Sequence, residues 1–169
     1  MAREAGKTLV LGGVASGKST FAEAYFKDLD RKHYIATAQA FDAEMAEKIA
    51  VHKARRDASW MNYEAPLDLS KALKQLSPAP ILVDCVSMWL SNHLLAGNDL
   101  DKEIETLTAT IAQLKVPIVV VSNEVGFSPV SPNALGRQFQ NAQGGLNQRL
   151  AAAMDQVFLV SAGLPVTLK

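Results

Sequence analysis

One octapeptide near the start of the chain, Gly12-Gly13-Val14-Ala15-Ser16-Gly17-Lys18-Ser19, limits the possible folds more than any other segment. It reads as glycine, four residues, glycine, lysine and a hydroxyl residue, a pattern that works only between a strand and a helix. Both flanks are legible. Thr8-Leu9-Val10-Leu11 is a short apolar run closed by glycines, which predicts a strand. Residues 17–29 carry Phe21, Tyr25 and Leu29 at four-residue spacing, with Ala22 and Phe26 beside them, which predicts a helix with one buried face. In such a turn, successive backbone N–H groups and the positive end of the helix cradle a polyphosphate. Lys18 is placed to reach β- and γ-phosphates, and the Ser19 hydroxyl to ligate Mg²⁺.

The rest of the chain alternates short apolar runs with helix-period segments, the pattern of an α/β fold with a mostly parallel sheet flanked by helices. Strands are predicted at His33–Ala36, Ile81–Asp84, Val116–Ser122 and Val157–Val160, with a short last one at 164–168 whose proline suits an edge. Val119-Val120-Val121 marks Val116–Ser122 as a central strand buried on both faces. Helices are predicted over 42–56 with Asp42 as N-cap, 67–76, 86–95 and about 100–114. A long helix carries Leu135, Phe139, Ala142, Leu146, Leu150 and Ala153, with Gly144-Gly145 as a weak point in its middle. No repeat interrupts this order, so residues 1–169 read as one P-loop NTPase-like nucleotide-binding domain.

Composition excludes several classes. Lys plus Arg equals Asp plus Glu at 17 each, which argues against a nucleic-acid coat or a polybasic membrane patch. The single cysteine, Cys85, cannot form a disulfide within one chain or a thiolate metal site, and a reducing cytoplasm is the expectation. No apolar stretch is long enough to span a membrane, and the run after Lys7 is too short for a signal peptide.

Two further groups bear on chemistry. Asp84 ends an apolar strand, where a carboxylate becomes the second Mg²⁺ partner of a phosphate loop. His52 shares a helical stripe with Met45 and Ile49, and with Arg56 if the helix runs that far. Lys53, Arg55 and Arg56 surround it. Alone, it is a partly buried structural histidine; beside those cations, its imidazole is a competent nucleophile towards an α-phosphate. Asn123-Glu124 follows the central strand, at the sheet edge where open α/β folds bind ligands, and reads equally well as a capped turn.

Several segments together resemble the bifunctional adenosylcobinamide kinase / adenosylcobinamide-phosphate guanylyltransferase family of cobalamin biosynthesis. They are Gly12–Ser19, Tyr34-Ile35-Ala36-Thr37-Ala38, Asp42-Ala43-Glu44-Met45 leading to His52-Lys53-Ala54-Arg55-Arg56, Asp84-Cys85, Val121-Ser122-Asn123-Glu124-Val125-Gly126, and Gly145-Leu146-Asn147-Gln148-Arg149-Leu150-Ala151. The resemblance implies phosphorylation of adenosylcobinamide by ATP or GTP, then transfer of GMP from GTP through a guanylylated histidine that matches His52. It places nucleotide contacts on Gly12, Gly13, Val14, Ala15, Ser16, Gly17, Lys18 and Ser19, on Ala36, Thr37 and Ala38, on Lys53, Ala54, Arg55 and Arg56, and on Glu64 and Asp84. Mg²⁺ is implied as cofactor, held by Ser19 and Asp84, and a homotrimer as the assembly. The chain departs from the family at Ala15, where members often carry arginine, and at Val51, where some carry a second histidine. His33 and His93 match no functional position. Trp60, Trp89 and Phe127 are large enough to cover a corrinoid, and equally suited to a core or an interface. Two alternatives share the phosphate loop: a small-molecule kinase without nucleotidyl transfer, and a non-catalytic nucleotide switch.

Overall fold

In the computed structural model, the described residues are 6–39, 43–54 and 56–169, with the backbone alone described for Glu44, Met45, Lys48 and His52. The elements run β1 (Lys7–Gly12), α1 (Lys18–Ala24), β2 (Lys32–Ala36), α2 (Ala43–Ala54), β3 (Trp60–Glu64), α3 (Leu69–Gln75), β4 (Ile81–Asp84), α4 (Val86–Leu95), α5 (Leu100–Gln113), β5 (Ile118–Asn123), α6 (Ala134–Ala153), β6 (Gln156–Ser161) and β7 (Leu164–Thr167). The seven strands form one sheet in the order β3-β2-β4-β5-β1-β6-β7. All neighbours are parallel except β6 and β7.

Alternation along the strands sorts apolar side chains onto two faces. Leu9, Val83, Val120 and Val157 pack with Leu107, Leu146 and Leu150 from the helices after β4 and β5. Val10, Leu82, Val119 and Val121 pack instead with Ala22 and Phe26 from the α1 segment. The phosphate loop and Asp84 both stand at the carboxyl ends of strands, where ligands enter open α/β sheets.

Four sequence expectations are corrected. The helix expected over 17–29 ends at Ala24. Tyr25, Phe26 and Leu29 then donate three residues back, to Ala22, Glu23 and Phe26, which tightens the coil and keeps Phe26 inside against Trp60. The helix expected from Leu67 starts at Leu69, because the Leu67 carbonyl turns to meet Trp89 Nε1 at 3.0 Å and His93 Nε2 at 3.1 Å. The helix expected to 56 ends at Ala54, and Asp42, its expected cap, lies outside the described residues. Strand β3 has no counterpart in the sequence reading. It is an edge strand of mixed polarity, Trp-Met-Asn-Tyr-Glu, with no apolar run to announce it. Helix α6 passes through Gly144-Gly145 without a break.

The expected edge strand exists as β7, with Pro165 opposite Val160. Its hairpin turns on Ala162 and Gly163, both at positive φ, as tight two-residue turns require. No helix among the described residues is long and apolar enough to cross a membrane.

Candidate nucleotide site

The phosphate loop joins β1 to α1 through Gly17, which holds φ at +91° in the left-handed region that glycine enters without strain. Ala15 also takes a positive φ, of 56°, at an exposed position. Lys18 Nζ donates to the Gly13 carbonyl at 3.0 Å, so the lysine lies along the loop. The hairpin between β6 and β7 braces the loop from outside: Gly163 N–H donates to Ser16 O at 2.8 Å. A side chain at Gly12 would collide with Ser16 Oγ and come within 2.7 Å of the Val160 carbonyl. Gly12→Ala is therefore expected to destabilise the fold by about 1–3 kcal/mol, read as a lower midpoint in urea, because backbone on the β6 side has no room to yield.

Asp84 leaves the end of β4 half-buried on the α1 side. It accepts the Tyr34 hydroxyl at 3.1 Å, and the Arg56 guanidinium lies over the Tyr34 ring at 3.6 Å. Arg56 Nε also donates to Asn62 Oδ1 at 2.7 Å, while its Nη1 is buried with no protein partner. Burial above all, and then the Asp84 charge, hold the Tyr34 phenol protonated far above its ordinary range, against an opposing pull from Arg56. Tyr34 and Asn62 thus tie the basic segment to the Asp84 carboxylate. The sequence reading missed both, because a tyrosine in an apolar run looks like core until its hydroxyl's partner is known.

Cys85, joined to Asp84 by a cis peptide bond, is buried, and its amide donates to Thr37 Oγ1 at 3.2 Å. Burial first, and the neighbouring Asp84 second, push the thiol up to about 11, with the Lys18 charge pulling the other way. A pKa raised on folding from about 8.5 contributes stability that is complete below pH 8.5. That contribution is lost as pH climbs towards 11. At pH 8 the native protein is expected to leave its thiol unmodified by an aromatic disulfide reagent, and to react fully once denatured.

The other sequence-predicted positions are distributed as follows. Ala36 and Ala38 are partly exposed at the end of β2, but Thr37 is fully buried, its hydroxyl on the Cys85 backbone and its carbonyl accepting from Asn92 Nδ2 at 2.9 Å. Lys53, Ala54 and Glu64 are exposed. Lys53 and Ala54 end α2, and Glu64 ends β3 opposite Ala36. His52 lies on α2 with its side chain outside the described residues, as does the whole of Arg55. His33 and His93 are buried on carbonyls of Ser77 and Leu67. Trp89 is core, Trp60 packs half-buried on Phe26 and Tyr34, and Phe127 stands 82% exposed in the loop after β5.

Glu124 is brought to the phosphate loop. Its N–H donates to Gly12 O at 3.0 Å, and its Oε1 accepts the Gly126 N–H at 2.5 Å. A cavity of about 500 Å³ between α5 and α6 is lined by Asp101, Gln138 and, from the family-like 145–151 stretch, Gly145 and Arg149 among others, but by none of the candidate catalytic, nucleotide-binding or metal-binding residues. Phosphate cradles are made of backbone amides on a shallow loop, so this hollow is not the better candidate.

Residues 8–168 match the family described as cobinamide kinase / cobinamide phosphate guanyltransferase. The bifunctional adenosylcobalamin biosynthesis protein CobP of Pseudomonas aeruginosa is 41% identical over 168 residues, covering 96% of this chain and 97% of that one. The bifunctional adenosylcobalamin biosynthesis proteins CobU of Salmonella typhimurium and Escherichia coli are 39% and 35% identical, each across 95% of this chain and 98% of their own. Among solved structures, an ATPase of a bacterial type III secretion system superposes with a TM-score of 0.59 at 11% identity, over 96% of this chain and 57% of that one. A Pyrococcus horikoshii protein superposes at 0.54 with 9% identity, over 99% of this chain and 87% of its own. At such identities the likeness is one of fold, and the fold is that of P-loop NTPases.

Proposed function

The chain belongs to the cobinamide kinase / cobinamide phosphate guanyltransferase family, and from that premise we propose that it phosphorylates adenosylcobinamide with ATP or GTP and then transfers GMP from GTP to the product. The observation that supports this reading is the family match over residues 8–168, laid on a phosphate loop that follows β1 and an Asp84 that ends β4, both at the carboxyl edge of the sheet.

In the first reaction, loop amides from Gly12 to Ser19 hold the triphosphate and Lys18 swings from the Gly13 carbonyl to the β- and γ-phosphates. Ala36, Thr37 and Ala38 border the nucleotide at the end of β2, and Lys53, Ala54, Arg55, Arg56 and Glu64 border it from α2 and β3. Phosphoryl transfer runs on alignment and charge, so the acceptor hydroxyl needs no strongly basic partner. In the second reaction, an imidazole nitrogen of His52 attacks the α-phosphorus of GTP and pyrophosphate leaves. The phosphate of adenosylcobinamide phosphate then attacks the same phosphorus, and His52 departs as the free imidazole.

Ser19 and Asp84 fit Mg²⁺. They are hard oxygen donors, and the described residues contain no cluster of three or more His, Cys, Asp or Glu that would favour another ion. So small a set suits a cation that keeps waters and leans on phosphate oxygens. When bound, Mg²⁺ would neutralise charge on the phosphates. The working assembly in this reading is a homotrimer in the cytoplasm.

The test uses purified protein with Mg²⁺ and GTP labelled at either the α- or the γ-phosphate. Acid-labile label on the protein from α-GTP alone, discharged by adenosylcobinamide phosphate, is the expected result. Phosphorylation of adenosylcobinamide with no α-label on protein would reduce the chain to a kinase.

A further inference from the structure

Ser87, Ser122, Gln143 and Asn147 form a buried polar cluster where α4, β5 and α6 meet, and all four are at most 6% exposed. Ser122 Oγ donates to Asn147 Oδ1 at 2.6 Å, and Gln143 Nε2 donates to both Ser122 Oγ at 2.9 Å and Asn147 Oδ1 at 3.0 Å. The cluster then grips one backbone residue from both sides. Asn147 Nδ2 donates to Asn123 O at 3.1 Å, and Asn123 N–H donates to Ser87 Oγ at 2.8 Å. Its neighbours are Leu146, Leu150, Val86 and Val120, all buried and apolar. Apolar side chains at these positions would avoid the cost of burying polar ones, and Gln143 Oε1 is itself left without a partner. Core packing therefore does not account for the cluster.

What it holds does account for it. Asn123 is the last residue of β5 and pairs with Gly12, the first residue of the phosphate loop. The next residue, Glu124, bonds Gly12 through its amide at the carboxyl edge of the sheet. We infer that Asn147, Gln143, Ser122 and Ser87 are positioning residues that fix the end of β5, so that Asn123 and Glu124 stand at a set distance from the phosphates in the transition state. This deepens the function proposed above and rests on it for its effect on rate, though not for its effect on the strand.

The test compares Asn147→Leu and Gln143→Met with wild type by three readouts. The first is amide exchange at Asn123 and Glu124 by nuclear magnetic resonance, without substrate. The second is kcat and KM for GTP in the kinase reaction, and the third is thermal unfolding. The expected result is exchange about ten-fold faster at those two amides with Val10 in β1 unchanged, and kcat lower by about ten- to a hundred-fold at a KM within about two-fold. The unfolding midpoint falls by a few degrees at most, because the buried partners of the replaced side chain lose a bond, while exchange elsewhere in the sheet is unchanged. In a Glu124→Gln background, Asn147→Leu adds little further loss, because both act through one group. Unchanged exchange, or a kcat loss that appears only with a lowered midpoint and faster exchange throughout the sheet, would overturn the inference. A wild-type protein that transfers no group would sink the proposed function and leave the exchange result to decide this one.

Discussion

His52→Ala is expected to erase α-label on the protein altogether while the kinase rate stays within about ten-fold of wild type, since the two reactions ask different things of the same pocket. Nucleotidyl transfer through a covalent intermediate needs a nucleophile, and among the residues of the α2 segment only His52 carries a neutral nitrogen suited to phosphorus. Val51 gives it no neighbouring substitute. Phosphoryl transfer to a hydroxyl needs no such group. The measurement is a pair of assays on one preparation: acid-labile α-label on protein, and γ-label on adenosylcobinamide. If both fall together and the unfolding midpoint falls with them, His52 is a structural residue and the covalent route is wrong.

Lys18→Ala is expected to strike both reactions, lowering kcat/KM of each by about 10²–10³-fold. The lysine is the loop's one cation, its charge reaches as far as Cys85 beside Asp84, and its present partner is only a carbonyl of the loop. Removing it takes away the contact with the Gly13 carbonyl, but the close neighbours of Gly12 and Gly17 are Ser16, Val160 and Gly163, so most of the backbone cradle keeps its supports. Unfolding should therefore shift little, and the loss should sit in transition-state stabilisation. A full loss of activity accompanied by a collapsed midpoint would instead mean that the Lys18–Gly13 contact holds the loop together.

Much of this was legible beforehand, for physical reasons that differ by element. β1, β4 and β5 are buried on both faces, so their sequences are nearly unbroken apolar runs, and their ends could be read to within a residue or two. The phosphate loop was legible because its backbone demands glycine at fixed places, as Gly17 demonstrates. β3 was illegible for the converse reason: an edge strand buries little, and Asn62, Tyr63 and Glu64 are exposed. Its existence depends on the ladder that β2 offers, which no local pattern encodes.

The candidate site divides in the same way. Lys18, Ser19 and Asp84 were read from spacing and strand position, and the structure sets them at the carboxyl edge of the sheet as expected. The Tyr34–Asp84 bond and the stacking of Arg56 on Tyr34 join residues from different strands and a loop, so one-dimensional periodicity carries no trace of them. The Asn123-Glu124 pair read equally as a ligand contact or a capped turn, and the Asn147 segment stood out only as a family-like stretch; only in three dimensions does one grip the other.

The brace between Ser16 and the β6–β7 hairpin has a consequence for how the protein is made. β1 leaves the ribosome before every other strand of the sheet, yet one of its two strand partners, β6, and the Gly163 amide that supports its loop are made only after the other parallel strands. Contacts so distant in sequence close late. A nascent chain halted before β6 would carry the whole phosphate-loop motif without a supported loop, and would not retain GTP. The segment that most plainly declares the protein's chemistry is thus among the last to become competent, and nucleotide capture by nascent chains should report completion of the sheet rather than its start.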